Sequence, residues 1–278
     1  MKRLLGIELQ KLWGNRASRI LILTYFILLS LIALLTAFKV NLLGMEFTLA
    51  DQGIFNFPYI WHFNTYIAAT FKFFLAVVIV SMMANEYTYG TLKQNLIDGL
   101  SKQEFIKSKV LTVIVFSAAT TIFVFIMTLI LGYFFSSYTE PSIVFSDLEY
   151  IAALFLKLAA FFSFCLFAGI LIKRSAFAIG FIVVWYLIEK ICQGLYGYVF
   201  KEFNSTKTII QFLPLESMSN LIKEPFTRFS AYKALENQVS GTVAEQFYGI
   251  HWYEIVTVLF WTIFFIFMSY QILKKRDL

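Results

Sequence analysis

Four charged residues stand inside runs that are otherwise apolar: Lys72, Lys157, Glu189 and Lys190. A charge at membrane depth is expensive, so each is a functional suspect by default. Lys72 falls near the middle of its run and Glu189 past the middle of another. These two either pair across helices, line a polar cavity that a substrate crosses, or form a proton or ion relay. Lys157 and Lys190 read as snorkelling lysines whose ammonium groups reach outward to the nearer interface.

Other reactive constellations are missing from the sequence. The two histidines, His62 and His251, sit next to Trp at expected outer interfaces, where an amphipathic ring is at home without a catalytic role. Cys165 and Cys192 fall in apolar runs at different depths and read as small core residues, not as a disulfide or metal pair. There is no G-x-x-x-x-G-K-[ST], no G-x-S-x-G and no H-E-x-x-H. Gly90-Thr91 is not a phosphate loop, because one glycine builds no cradle of backbone N–H groups. No catalytic, cofactor or metal residue is therefore expected, and any nucleotide used must bind another chain.

The elements that position the charges are membrane helices. Of 278 residues 59% are hydrophobic, 33 are Phe, 15 are Tyr and only 14% are charged. That composition excludes an ordinary soluble domain. The net charge of +6 lies mostly beside apolar runs, as lipid headgroups and topology demand, so nucleic acid is not an expected partner. Residues 1–14 carry Leu4, Leu5, Leu9 and Leu12 opposite Lys2, Arg3, Lys11 and Gln10, which reads as an amphipathic helix in the interface. Asn15 or Ser18 can cap the next helix. Six runs are then long enough for a hydrocarbon core of about 30 Å: 20–38, 58–84, 111–135, 148–172, 176–195 and 253–273. Residues 39–57 read as a polar loop. The segment 199–252 holds two helical patterns, one after Pro214 with Leu215, Met218, Leu221 and Ile222, and one after Ser230 with Tyr232, Leu235 and Val239. The expected fold is a single all-α polytopic membrane domain over 1–278, without an internal repeat.

The most patterned polar stretch covers residues 86–109. Leu92, Leu96 and Leu100 recur at a spacing of four, on one face of a short helix. Gly99 stops it. Ser101 and Glu104 form a capping box, with Leu100 and Phe105 as the matching hydrophobic staple, so a second helix starts at Lys102. Charge counting places this stretch. With both termini inside, the inner pieces carry fourteen basic residues (Lys2, Arg3, Lys11, Arg16, Arg19, Lys93, Lys102, Lys107, Lys109, Lys173, Arg174, Lys274, Lys275, Arg276) against five acidic (Glu8, Glu86, Asp98, Glu104, Asp277). The other side carries six basic and eleven acidic, which predicts cytoplasmic termini and a cytoplasmic helix pair.

The run Glu86-Tyr87-Thr88-Tyr89-Gly90-Thr91-Leu92-Lys93, then Gly99-Leu100-Ser101-Lys102, Phe105 and Lys109, resembles the segment between the second and third spans of permeases of the ATP-binding cassette type 2 exporter family. Ile7-Glu8-Leu9-Gln10-Lys11-Leu12 resembles that family's N-terminal interfacial helix, and the likeness extends over nearly the whole chain. Many members have Pro where this chain has Gly99. The resemblance implies a permease of a bacterial inner membrane, working as a homo- or heterodimer in the lipid bilayer above two ABC ATPase subunits. ATP and Mg would bind the ATPase. It implies ATPase coupling through Glu86, Gly90, Thr91, Lys93, Gly99, Ser101, Lys102 and Glu104, with Glu8 and Lys11 of the first helix, and Glu86 contacting a cation of the partner. The outer helices between Pro214 and Gly241 would be re-entrant, and Lys72 and Glu189 would lie on the translocation pathway of a hydrophobic or amphipathic substrate such as a lipid, peptide or drug. The reading from a different class is an ion-gradient-driven transporter or channel that uses Lys72 and Glu189 as a relay.

Overall fold

The computed structural model describes residues 2–35, 40–42, 45–47, 53–199, 209–228, 232 and 247–276. The chain runs α1 (Lys2–Gly14), α2 (Arg16–Leu35), a small antiparallel ribbon of β1 (Val40–Leu42) and β2 (Met45–Phe47), α3 (Tyr59–Thr70), α4 (Phe73–Thr88), α5 (Thr91–Ile97), α6 (Lys102–Phe135), α7 (Pro141–Val144), α8 (Glu149–Ile172), α9 (Ser175–Val199), α10 (Pro214–Asn220) and α11 (Trp252–Lys275). Asn15 Oδ1 accepts from the Ser18 N–H at 3.2 Å and so starts α2. The ribbon stands where a loop was expected, and the helical pattern at Leu235 and Val239 lies outside the described residues.

Five helices, α2, α6, α8, α9 and α11, are long and apolar enough to cross a bilayer, and α3 with α4 makes a sixth span bent by 44°. A continuous second span was expected. The break at Phe71 and Lys72 contains neither Pro nor Gly; instead the Thr70 hydroxyl bonds back to Tyr66 O at 2.9 Å, and Phe74 and Leu75 close tighter i−3 turns onto Phe71 and Lys72. The helix ladder is interrupted at these tighter turns, and the two halves meet there at the bend. The polar face of α6 is satisfied as Thr70 is, with Thr112, Ser117, Thr120 and Thr121 each bonded to the carbonyl four residues back.

Helix α8 is the hub. It packs against α3, α4, α6, α9 and α11, and its apolar window is 72% buried, far more than that of any other single-helix span. Small residues permit this closeness. At Gly169 a Cβ would meet Met83 Cβ at 3.1 Å, so α4 rests almost backbone to backbone on α8. The turn from α8 to α9 is held by Lys173 at φ +65 with its N–H on Gly169 O. Such a turn leaves these two helices antiparallel neighbours.

Candidate functional site

At the end of the bundle that carries the termini, a short helix stands between two glycine corners. Gly90 at φ +66 ends α4 and opens α5, and Gly99 at φ +95 ends α5. The second corner is a Schellman motif: Leu100 N–H reaches Asn95 O at 3.0 Å, and Gly99 N–H reaches Leu96 O at 3.2 Å. One residue later Ser101 caps α6, its hydroxyl and backbone N–H both bonded to Glu104, and the Ser101 oxygen accepting from Glu104 N–H. Leu92 is buried in the core and Leu96 and Leu100 pack against it, so the apolar stripe faces the bundle. The opposite face shows Tyr89 at 73% and Ile97 at 75% exposure, with Lys93 exposed between them.

Behind α5 lies a buried ion cluster. The Lys109 ammonium is 2.5 Å from Glu8 and 2.6 Å from Glu86, while Lys11 lies 2.9 Å from Glu86 and 3.4 Å from Glu8. The other Glu86 oxygen accepts from the Thr91 hydroxyl at 2.6 Å. Two carboxylates and two ammonium groups thus cancel, binding α1, α4, α5 and α6 at one point. Burial disfavours the Lys11 charge, but its bond to Glu86 and the pull of both carboxylates prevail and hold its pKa above the ordinary 10.5. The expectation that Glu86 meets a cation of another chain gives way here. The residue is 2% exposed and both oxygens are taken within its own chain. Lys102 is likewise engaged: it donates to Lys274 O and Arg276 O at the end of α11, where a cation complements the exposed carbonyls. Arg276 in turn donates to Ile170 O, Leu171 O and the Tyr87 hydroxyl.

The second site is deeper. Lys72 and Glu189 line one cavity of about 120 Å³, together with Lys190 and Glu216. They are not paired. Glu189 accepts from Trp185 Nε1 at 2.7 Å, from Leu215 N–H at 3.1 Å and from Glu216 N–H at 3.0 Å, so its carboxylate satisfies the open N–H groups at the start of α10. Lys157 does not snorkel outward. It is 4% exposed and donates to Ser219 O at 3.2 Å and Ile222 O at 3.5 Å, at the other end of α10. Lys190 stays exposed and pairs with Glu216 at 3.0 Å. His62 is packed within the protein: it is fully buried, stacked on Tyr150 at 4.3 Å. Arg228 donates to its Nδ1, so Nε2 carries the proton and donates to Lys223 O at 2.8 Å.

Residues 14–278 match the model of the ABC-2 family transporter proteins. The chain belongs to the ABC-2 transporter family. No curated protein matches it. Membership makes it a multi-pass membrane permease of an ABC transporter, a class that operates with an ABC ATPase.

In this ABC-2 permease, sequence spacing located α5 and its stop at Gly99, and Lys93 was expected, but two exposed residues beside Lys93 were missed. Tyr89 and Ile97 fall off the Leu92, Leu96, Leu100 stripe, and that displacement was the one signal for them. The partners of Glu86 and Glu8 had no such signal, since Glu8 and Lys109 meet across a separation of 101 residues.

Proposed function

We propose that this chain is the membrane subunit of an ATP-driven exporter, seated with both termini in the cytoplasm of a bacterial inner membrane, and that α5 is the element on which a separate ABC ATPase docks. ATP and Mg bind that ATPase. Two copies, or two related chains, form the working permease, and a hydrophobic or amphipathic substrate crosses it. The observation carrying this reading is the bracing of α5. A seven-residue helix between fixed corners, with a neutral ion cluster behind it and Tyr89, Lys93 and Ile97 in front, transmits a push that a loose loop would absorb. The charge asymmetry favours the orientation. Gly90, Gly99, Ser101 and Glu104 shape the docking element, Thr91 ties it to Glu86, and Lys102 ties it to α11. Glu8 and Lys11 brace the first helix against it.

The test pairs the permease with an ABC ATPase that co-purifies with it. Ile97→Asp and Lys93→Glu together, at unchanged permease level, abolish stimulation of ATP hydrolysis by the permease and loosen co-purification. Full stimulation in the double variant refutes the docking.

A further inference from the structure

The cavity at the bend of the second span contains one ammonium group, that of Lys72, that no carboxylate among the described residues pairs with. Glu189 is saturated by three N–H donors, and Glu216 is engaged by Lys190 and by Gln193 at 3.3 Å. Lys157 serves the carbonyls of α10. Among the described residues the Lys72 ammonium makes no hydrogen bond and no ion pair; its contact is the Phe161 ring, 4.5 Å from ammonium to centroid. The charges lining the cavity balance formally, Lys72 and Lys190 against Glu189 and Glu216, but both carboxylates are held by other donors and neither pairs with Lys72. A cation–π contact is a weak substitute for a counter-ion at membrane depth.

The cavity also has a direction. Two of its lining side chains, Phe73 and Tyr186, are exposed on the flanks of α4 and α9, so it opens sideways toward whatever surrounds the helices. From that mouth an exposed apolar stripe runs along α9 at a spacing of four, through Val183, Leu187, Ile191 and Leu195. At the helical rise this track is about 18 Å long. A volume of about 120 Å³ takes a polar head and not a whole amphiphile.

We propose that Lys72 and its cavity bind the anionic headgroup, carboxylate or phosphate, of an amphiphile whose apolar tail lies along α9. The ammonium supplies the counter-charge, and Phe161 and Tyr186 flank the head. Binding of this kind needs no ATPase. It deepens the export reading, and rests on it only for the step of transport.

The test uses the full-length permease in phosphatidylcholine nanodiscs, with parinaric acid and its methyl ester as fluorescent probes and protein-free discs as the baseline. The acid binds about tenfold or more tightly than the ester, the scale of one charge-assisted contact. Lys72→Met erases that preference and Lys72→Arg keeps it. Phosphatidylglycerol that displaces the acid at a few mole per cent assigns the site to a membrane lipid, and an acid preference that persists against it assigns the site to a smaller amphiphile. Equal binding of acid and ester by the parent chain, or an unchanged preference in Lys72→Met, overturns the proposal. A thermal midpoint serves as the second measurement. Removing an unpaired charge leaves it unchanged or raises it, and a clear fall in Lys72→Met shows that Lys72 was paired after all. Because no ATPase is present, failure here is distinct from failure of the docking on α5.

Discussion

Lys157 and Glu189, on the adjacent helices α8 and α9, hold opposite ends of the same seven-residue helix. Glu189 takes the N–H groups of Leu215 and Glu216 at the start of α10, and Lys157 donates to the carbonyls of Ser219 and Ile222 at its finish. Glu189, one half of the expected relay, and Lys157, expected to snorkel, are thus the fixings of a short helix whose Met218, with Leu221 and Ile222 just after it, is buried in the core. Charge of each sign meets the backbone groups of opposite polarity, so the arrangement stabilises both residues at depth.

Removing either grip releases α10. Glu189→Ala leaves two N–H donors and the Trp185 indole without an acceptor, which costs about 1–3 kcal/mol and raises the opening of α10 about 5- to 150-fold. Glu189→Gln keeps an acceptor oxygen and loses less. Ser217 lies on the buried side of α10, so labelling of Ser217→Cys reads the opening, with the exposed Cys192 first replaced by Ser. The expected order of labelling rates is Glu189→Ala, then Glu189→Gln, then the parent. Equal rates in all three count against the grip.

The ion cluster behind α5 predicts a steep ranking among its own lysines. Lys109 is wholly buried between Glu8 and Glu86, and Lys109→Met leaves two buried carboxylates with only the part-exposed Lys11 as counter-ion, a loss of about 3 kcal/mol. The Lys11 side chain is 39% exposed, so Lys11→Ala costs no more than about 1 kcal/mol. Thermal unfolding in nanodiscs separates the two. Comparable losses would mean that the cluster is held from its exposed rim and not from its centre.

Lys11 also sets a pH window. Its pKa is raised in the folded chain, so its contribution is complete below the unfolded value of 10.5 and is lost as pH rises through the higher folded value. Anchoring of α1 is therefore flat between pH 6 and 9. Hydrogen exchange of α1 amides, corrected for the intrinsic rate, checks this; a loosening of α1 already at pH 8 to 9 contradicts it.

The legible part of the sequence was local. The capping box Ser101–Glu104, the stop at Gly99 and the stripe of Leu92, Leu96 and Leu100 involve residues a few positions apart, and helix geometry alone joins them. The six spans followed from hydropathy, and the second could not be read as bent, because neither Pro nor Gly stands at the break. Partners of the buried charges were illegible for a different reason. Lys109 meets Glu8, and Lys157 meets Ser219, only because distant helices converge, and nothing in the spacing of a single run encodes that convergence. The burial of His62 belongs to the same class, since its stack on Tyr150 comes from another span.

The corner at Gly99 gives the last prediction. Family members often have Pro near this place, yet here the residue sits at φ +95 and its N–H closes onto Leu96 O. Proline holds φ near −65° and has no N–H, so it fits neither requirement. Alanine keeps the N–H but must enter a region that side chains avoid, for a strain of about 1–3 kcal/mol. A Cβ at this position meets no atom within 4 Å, so the loss in Gly99→Ala is conformational and not steric. Gly99→Ala should therefore lower the thermal midpoint modestly and weaken coupling to the ATPase in part, whereas Gly99→Pro should break the corner, expose Leu92 and remove coupling. The checks are ATP hydrolysis stimulated by the permease and labelling of Leu92→Cys in the Cys192→Ser background. Full coupling in Gly99→Pro would show that α5 reaches its seat without this turn and is not braced at that end.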